Sequence, residues 1–250
     1  MTQQKFGVGV LIATTRTDAL GIALAVPQSY RLGILQDVST DFSFDHKPLY
    51  GSGQLPVDQG RGKAKLAFSA KTADISIAAL AALHFGIVPT VGIKLPALDV
   101  AGTIPATPFQ LTPVVPNTGT WVGDLGVRNT SGVNFTRVAS APTTGQYSVS
   151  AGVYTFAAAD TGLAVLMSFE YSAATGGIIV PLTNQLMGYS PSFSTILYND
   201  SKGSKLGLKL TNCMSDKLAL PFKNEDFVVA DFGFMALDDG TGSAGYWCQA

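Results

Sequence analysis

Few residues in this 250-residue chain are equipped for chemistry, and their spacing suits it poorly. His46 and His84 are the two histidines, and neither has an evident nucleophile beside it for acid–base or triad catalysis. His46 lies in a Pro- and Gly-rich stretch, where a solvated side chain is expected. His84 falls near the end of a helical pattern, where an imidazole can interact with the last carbonyls. The two glutamates are Glu170 and Glu225. Glu225 and Asp226 are adjacent, so on a strand they would face opposite sides instead of forming an acid–base pair.

Motif searches end the same way. Gly60-Arg61-Gly62-Lys63 fails as a phosphate loop, because Val57 stands where the first glycine is required and Ala64 follows the lysine. Gly7-Val8-Gly9 lacks the third glycine of a dinucleotide fingerprint. Asp238 and Asp239, followed by glycines, suit a turn better than a calcium loop, which would end in a bidentate acid. Cys213 and Cys248 have no metal-ligand or disulfide spacing and read as reduced thiols. Asn129, Asn134 and Asn199 match the glycosylation pattern, which carries meaning only with a secretory route. Phe42, Phe44, Phe232 and Phe234 recur at period two, which places them in a core more readily than on a base-stacking platform. The expectation is no catalytic residue, no cofactor and no metal.

Composition points to what such a chain does instead. Charged residues make up 13%, about half of the roughly 25% usual in soluble proteins. Surface helices are normally dressed with Glu and Lys, so few are expected. A surface this poor in charge is weakly defended against association, which suits a subunit buried in an assembly. A net charge of −1 gives no basic field for gripping nucleic acid. No apolar stretch approaches the roughly 20 residues of a membrane span. The run from Phe6 to Ala13 alternates as a strand does and reads so in preference to a signal peptide.

The elements expected to carry this surface are strands. Gly7–Thr14 and Leu20–Val26 read as a hairpin about the turn Thr15–Ala19, followed by a strand over Tyr30–Phe44. Asp45–Gly62, with Pro48, Pro56 and several glycines, reads as a long polar loop. The next strand, 61–71, puts Ala64, Leu66, Phe68 and Ala70 on one face and Lys63, Lys65, Ser69 and Lys71 on the other. One helix is expected over about 74–85, capped by Asp74 and stopped by Gly86. Leu206, Leu208 and Leu210 alternate, as do Val228, Ala230, Phe232 and Phe234. No lysine occurs between Lys94 and Lys202, and that stretch opens on Pro96, Pro105, Pro108, Pro113 and Pro116. Its short strand-like runs predict a small Ig-like β-sandwich over 105–179, inserted into a host domain made of 1–104 and 180–250. The fold class is all-β with one helix.

The order of these parts resembles a known family. Leu49-Tyr50-Gly51, Leu55-Pro56-Val57 and Gly62-Lys63-Ala64-Lys65, leading into an alternating strand and one helix, are similar to the first half of tail tube (major tail) proteins of long-tailed bacteriophages. Gly145-Gln146-Tyr147-Ser148-Val149, Gly152-Val153-Tyr154-Thr155-Phe156 and Asp160-Thr161-Gly162 resemble the small β domain that some of these subunits carry. Lys223-Asn224-Glu225-Asp226-Phe227 and Asp231-Phe232-Gly233-Phe234 look like their closing strand.

The resemblance implies a β-barrel or sandwich that assembles as hexameric rings. The rings stack into a virion tube, made in the host bacterial cytoplasm and without contact to a membrane. It implies as partners the chain itself, the tape measure protein and the tail-end proteins, with DNA passing through unbound. It makes Lys47, Leu49, Tyr50, Gln54, Leu55, Val57 and Asp58 candidates for ring stacking, and Phe227, Val229 and Asp231 candidates for an edge or closing strand. The lysine-bearing face of the 61–71 strand is then expected to point away from the lumen. The alternative reading is a β-sandwich module that binds carbohydrate or a receptor.

Overall fold

The computed structural model describes residues 7–74 and 76–250. The chain is mostly β-strand with a single short helix. It divides into two compact units, 1–89 with 180–250, and 90–179. The first boundary lies at Pro89/Thr90 and not after residue 104. The reason is that the strand Thr90–Thr103 pairs along its length with Ala164–Ile179, so it belongs to the second unit.

In chain order the strands are β1 Val10–Thr15, β2 Ser29–Leu32, β3 Leu35–Tyr50, β4 Pro56–Thr72, β5 Thr90–Thr103, β6 Gln110–Leu111, β7 Thr120–Asn129, β8 Thr136–Arg137, β9 Gln146–Ser150, β10 Val153–Phe156, β11 Ala164–Ile179, β12 Phe193–Ser201, β13 Ser204–Ala219, β14 Ala230–Ala236 and β15 Gly245–Gln249. Helix α1 is Ile77–Leu80 and continues as a π-helical turn, Ala81–Phe85.

The first unit is an eight-stranded sheet in the order β2-β1-β12-β13-β14-β4-β3, with β15 also on β13. Its two outermost strands, β2 and β3, are joined by Gly33-Ile34 alone. Six inter-strand steps separate them along the sheet, roughly 29 Å if it were flat at ~4.8 Å per step. The link from Leu32 to Leu35 reaches at most ~11 Å. The sheet must therefore roll up, although no ladder joins β2 to β3. At this corner Gly33 leaves room for the Asp74 side chain, which a Cβ there would meet at 2.3 Å.

The rolled sheet encloses Leu11, Phe68, Ala70, Phe193, Leu208, Leu210, Phe232 and Phe234, with Ala79, Leu80 and Leu83 of the helix packed on them. Phe68 and Phe234 are directly opposite across β4 and β14 and stack with ring centroids 5.2 Å apart. Phe193 meets the Phe234 ring edge-on at 5.7 Å. Such pairs add about 0.5–1.5 kcal/mol each beyond the burial of their area.

Several expectations are revised. The partner of β1 is Ser29–Leu32, not Leu20–Val26, which contributes only an isolated bridge between Thr17 and Ala23. The helix is capped by Ser76, whose hydroxyl accepts from the Ala79 amide, and not by Asp74; Ile75 lies outside the described residues. Gly86 ends the helix in the left-handed region at φ 64°, where a Cβ would also meet the Ala19 backbone at 2.6 Å. Asp45–Gly62 is not a loop. It forms the outer arms of the β3–β4 hairpin, with register running from His46↔Arg61 through Leu49↔Asp58 to Tyr50↔Pro56. The prolines are tolerated because β3 is an edge strand, where Pro48 withholds no needed donor, and Pro56 is the first residue of β4.

The second unit is a sandwich of a three-stranded sheet, β5-β11-β7, and a four-stranded sheet, β6-β10-β9-β8. Ile104, Val127, Val165 and Met167 from one side and Tyr147, Tyr154 and Phe156 from the other form its core. A second cluster, Ile93, Ala97, Phe169, Tyr171 and Ala173, lies under the remaining length of β5 and β11. No helix among the described residues is long and apolar enough to cross a membrane.

The Phe68–Phe193–Phe234 cluster holds β4, β12 and β14 over one core, so truncation there is costly. Phe234→Ala is expected to lower the unfolding free energy by about 3–5 kcal/mol, read from urea titrations followed by circular dichroism. A loss under 1 kcal/mol would contradict the packing described.

Candidate functional site

Several of the groups able to do chemistry serve the structure. The Asp124 side chain on β7 is 3% exposed. It accepts from the Tyr147 hydroxyl at 2.7 Å, the Tyr154 hydroxyl at 3.1 Å and the Gly126 amide at 3.1 Å, with Arg137 Nη1 at 3.7 Å. Trp121 Nε1 donates to the Tyr154 hydroxyl at 3.4 Å. A buried carboxylate costs several kcal/mol unless its lone pairs are satisfied, and here both tyrosines come from the facing sheet. The cluster is a polar clamp between the two layers. A carboxylate in an alternating strand reads as solvent-facing, so no sequence signal marked Asp124. What could have found it is the pair of tyrosines, Tyr147 and Tyr154, on consecutive strands that need acceptors.

His84 Nδ1 lies 2.6 Å from the Ser215 hydroxyl, which itself donates to the Gly233 carbonyl at 3.2 Å. Desolvation pulls the His84 pKa below its ordinary value, and the nearby Asp216 carboxylate opposes this. The ring thus tethers the helix end to β13, in place of the carbonyl contact expected for it. His46 sits on the exposed outer arm of β3. Asp238 Oδ1 accepts from the amides of Gly240 and Gly242 at 3.0 Å each, and Asp239 Oδ1 from that of Thr241 at 2.9 Å, so both carboxylates close their own turn. Glu225 and Asp226 lie in a bend ahead of β14, with Asp226 beside Lys223 at 3.7 Å. Among the described residues no three His, Cys, Asp or Glu side chains gather as metal ligands. Both cysteines are free, and burial pushes the Cys213 thiol up to about 11.

The candidate closing strand is in a different place from the one expected. β14 begins at Ala230, so Phe227 and Val229 precede it, and Phe227 is 88% exposed. β14 is hydrogen-bonded to β4 on one side and β13 on the other, which makes it an interior strand and not an edge. Asp231 ties those strands on the wet face. It accepts from Ser69 Oγ at 2.9 Å and from the Lys217 ammonium, and the latter holds its carboxyl below the usual range. Lys71, one strand over, pairs with Asp37 at 3.5 Å.

The stacking candidates gather in one place. β14 accompanies β4 only as far as Ala67, and beyond that point β3 and β4 pair with each other alone. From Phe42 to Tyr50 this is on the order of 30 Å of two-stranded ribbon at ~3.3 Å per residue. Phe42 at its root packs on Phe68 and Trp247, and the Arg61 guanidinium lies 4.8 Å over the Phe44 ring. Further out, Lys47, Leu49, Tyr50, Gln54, Leu55, Val57 and Asp58 are all exposed, with Leu55 at 81%. The tip from Leu49 to Val57 contains no charged residue. The edge groups of β2, β3 and the outer part of β4 face away from any strand of the described chain.

The sequence matches no protein-family model and no curated protein.

Burial and the Asp124 carboxylate raise the Tyr147 pKa well above the ordinary range, and burial raises that of Tyr154 to about 12. A raised tyrosine pKa means the unfolded chain loses its proton first. The resulting stability is present below about pH 10 and fades as pH rises through the folded values. Alkaline titration of wild type should show unfolding free energy falling from pH 10 towards 12, and the fall should be shallower in Tyr154→Phe. Equal slopes in both proteins would refute the clamp.

Proposed function

We propose that this chain is a virion structural protein that works by self-assembly, as the subunit of stacked hexameric rings in a phage tail tube. The observation that carries the reading is the outer half of the β3–β4 hairpin. It has no third strand or covering element among the described residues, and it ends in an uncharged apolar tip. A lone two-stranded ribbon is marginal in water, and an unpaired strand edge is a template for pairing. Lys47 and Pro48 blunt this edge, so the uncharged tip is the surface that a ring subunit would put to use. Met187, Phe222 and Phe227 add further exposed apolar surface on irregular segments of the same unit. The low charge of the chain fits the same role, as does the resemblance of its ordered segments to tail tube proteins. In this role DNA passes without specific binding, the tape measure and tail-end proteins are further partners, and no catalytic centre is needed.

A second reading has one observation in its favour. A groove of about 260 Å³ in the second unit is lined by Asp99, Arg128, Asn134, Phe135 and Ser168. Arg128 forms a bidentate pair there with Asp99, at 3.0 and 2.6 Å. Alternating donors and acceptors beside an aromatic ring suit a carbohydrate. Binding of the discrete monomer on a glycan array would favour this role over assembly.

Purified protein at high concentration is expected to form rings and tubes in negative-stain micrographs. Replacing Leu49–Val57 by an Asn-Gly turn should abolish tubes while moving the melting temperature by no more than ~2–4 °C, the scale of a 1 kcal/mol change in a chain of this size. Tubes that persist after this replacement would count against a stacking role for the hairpin.

A further inference from the structure

We infer that the apolar tip of the hairpin seats in a groove beside helix α1 on a second copy of this chain. The inference rests on the assembly reading above and names the receiving surface. The groove has a volume of about 450 Å³ and is lined by Ile77, Leu80, Phe85, Val180, Leu182 and Leu220 among others, all apolar. Its floor is the α-to-π transition of the helix, a widened turn of the kind found often at functional sites. Its wall is fixed, because Gln185 Nε2 donates to the Phe85 carbonyl at 2.6 Å and holds the segment after Val180 against the helix end. Ile77 and Leu182 remain exposed at the rim, Leu182 at 79%.

Three observations select the occupant. The first is charge. Neither the tip nor the groove lining carries a charged side chain, so their union desolvates no ion, the costliest term in burying a polar surface.

The second is position. β4 runs from Pro56 at the tip to Thr72 at the base, and the groove begins at Ile77, just past that base. The strand spans on the order of 50 Å at ~3.3 Å per residue. Tip and groove therefore lie at opposite ends of one hairpin, too far apart to meet within a chain. Between two chains they meet head to tail. Such a contact is heterologous, and repeating it propagates an assembly along one direction.

The third is size. The tip from Leu49 to Val57 offers nine residues, less than half of the roughly 20–30 per partner of a stable pair. A single contact is thus too small to hold two free chains, and several made together between rings gain by multivalency. The same reasoning explains why an uncharged tip need not precipitate the dilute monomer.

The test uses full-length protein in a Cys248→Ser background, which removes the exposed thiol. One preparation carries Leu55→Cys and the other Leu182→Cys, and the two are mixed at assembling concentration under mild oxidation. A disulfide joining 55 to 182 in the mixture, identified by peptide mass, is expected. Each single variant alone should not yield that linkage. Leu182→Arg, a change at an exposed site, should abolish tubes with the unfolding midpoint unchanged. Wild-type tubes without the 55–182 linkage, or tubes that survive Leu182→Arg, overturn the groove and leave the assembly reading standing. The linkage without tubes supports the contact and overturns the tube. Absence of both overturns both.

Discussion

A pair of strands hydrogen-bonded only to each other leaves two rows of amides and carbonyls facing water and has no sheet to bury its side chains against. Most of what is distinctive in this protein depends on that constraint. The β3–β4 hairpin begins as part of a well-packed sheet, with Phe68 stacked on Phe234 and Ala70 opposite Phe232. It then leaves the sheet near Ala67 and continues as a bare ribbon. Its root is anchored by the Phe42 contacts with Phe68 and Trp247. Its outer part has no such anchor among the described residues, and in the assembly proposed above a second protein surface completes it. The rolled sheet behind it supplies rigidity: the short Gly33-Ile34 link forces the curl, the phenylalanines fill it and the helix plugs it.

The polar groups divide between the same two tasks. Those that are buried serve as ties: Asp124 to two tyrosines across the sandwich, His84 to Ser215 at the helix end. Asp231 does the same at half-exposure, between Ser69 and Lys217. Each of these carboxylates and rings is satisfied by neighbours, which ties together the elements it bridges. In the proposed assembly such ties would meet ordering costs once, on folding, and not again on association.

Period-two alternation made much of this legible beforehand. Leu66–Ala70, Leu206–Leu210 and Ala230–Phe234 lie on strands facing as their pattern implies, whereas Ala64, out on the ribbon, is exposed; Gly86 ends the helix at a positive φ as a glycine there should. What alternation does not encode is which strand lies beside which. The resemblance makes Phe227, Val229 and Asp231 an edge or closing strand, yet long-range pairing places β14 between β4 and β13. Pro48, Pro56 and the nearby glycines suggested a loop because prolines are excluded from central strands. The hairpin escapes that rule since each proline sits at an edge or a strand start. The first inter-unit boundary was set by prolines 96 to 116, whereas β5 carries Pro96 in its pairing with Glu170. Asp124 was hidden for a related reason, since only the fold supplies the two tyrosines that make its burial tolerable.

The central claim is that the outer hairpin is incomplete in one chain and completed by another. Hydrogen–deuterium exchange measured as a function of protein concentration tests it directly. In dilute monomer the amides of Phe42–Tyr50 and Val57–Leu66 should exchange fast, while those of Ala230–Ala236 stay protected. At assembling concentration the hairpin amides should slow by at least an order of magnitude, and the β14 amides should not change. Hairpin amides as protected as those of β14 in the dilute monomer, with no dependence on concentration, would contradict the account.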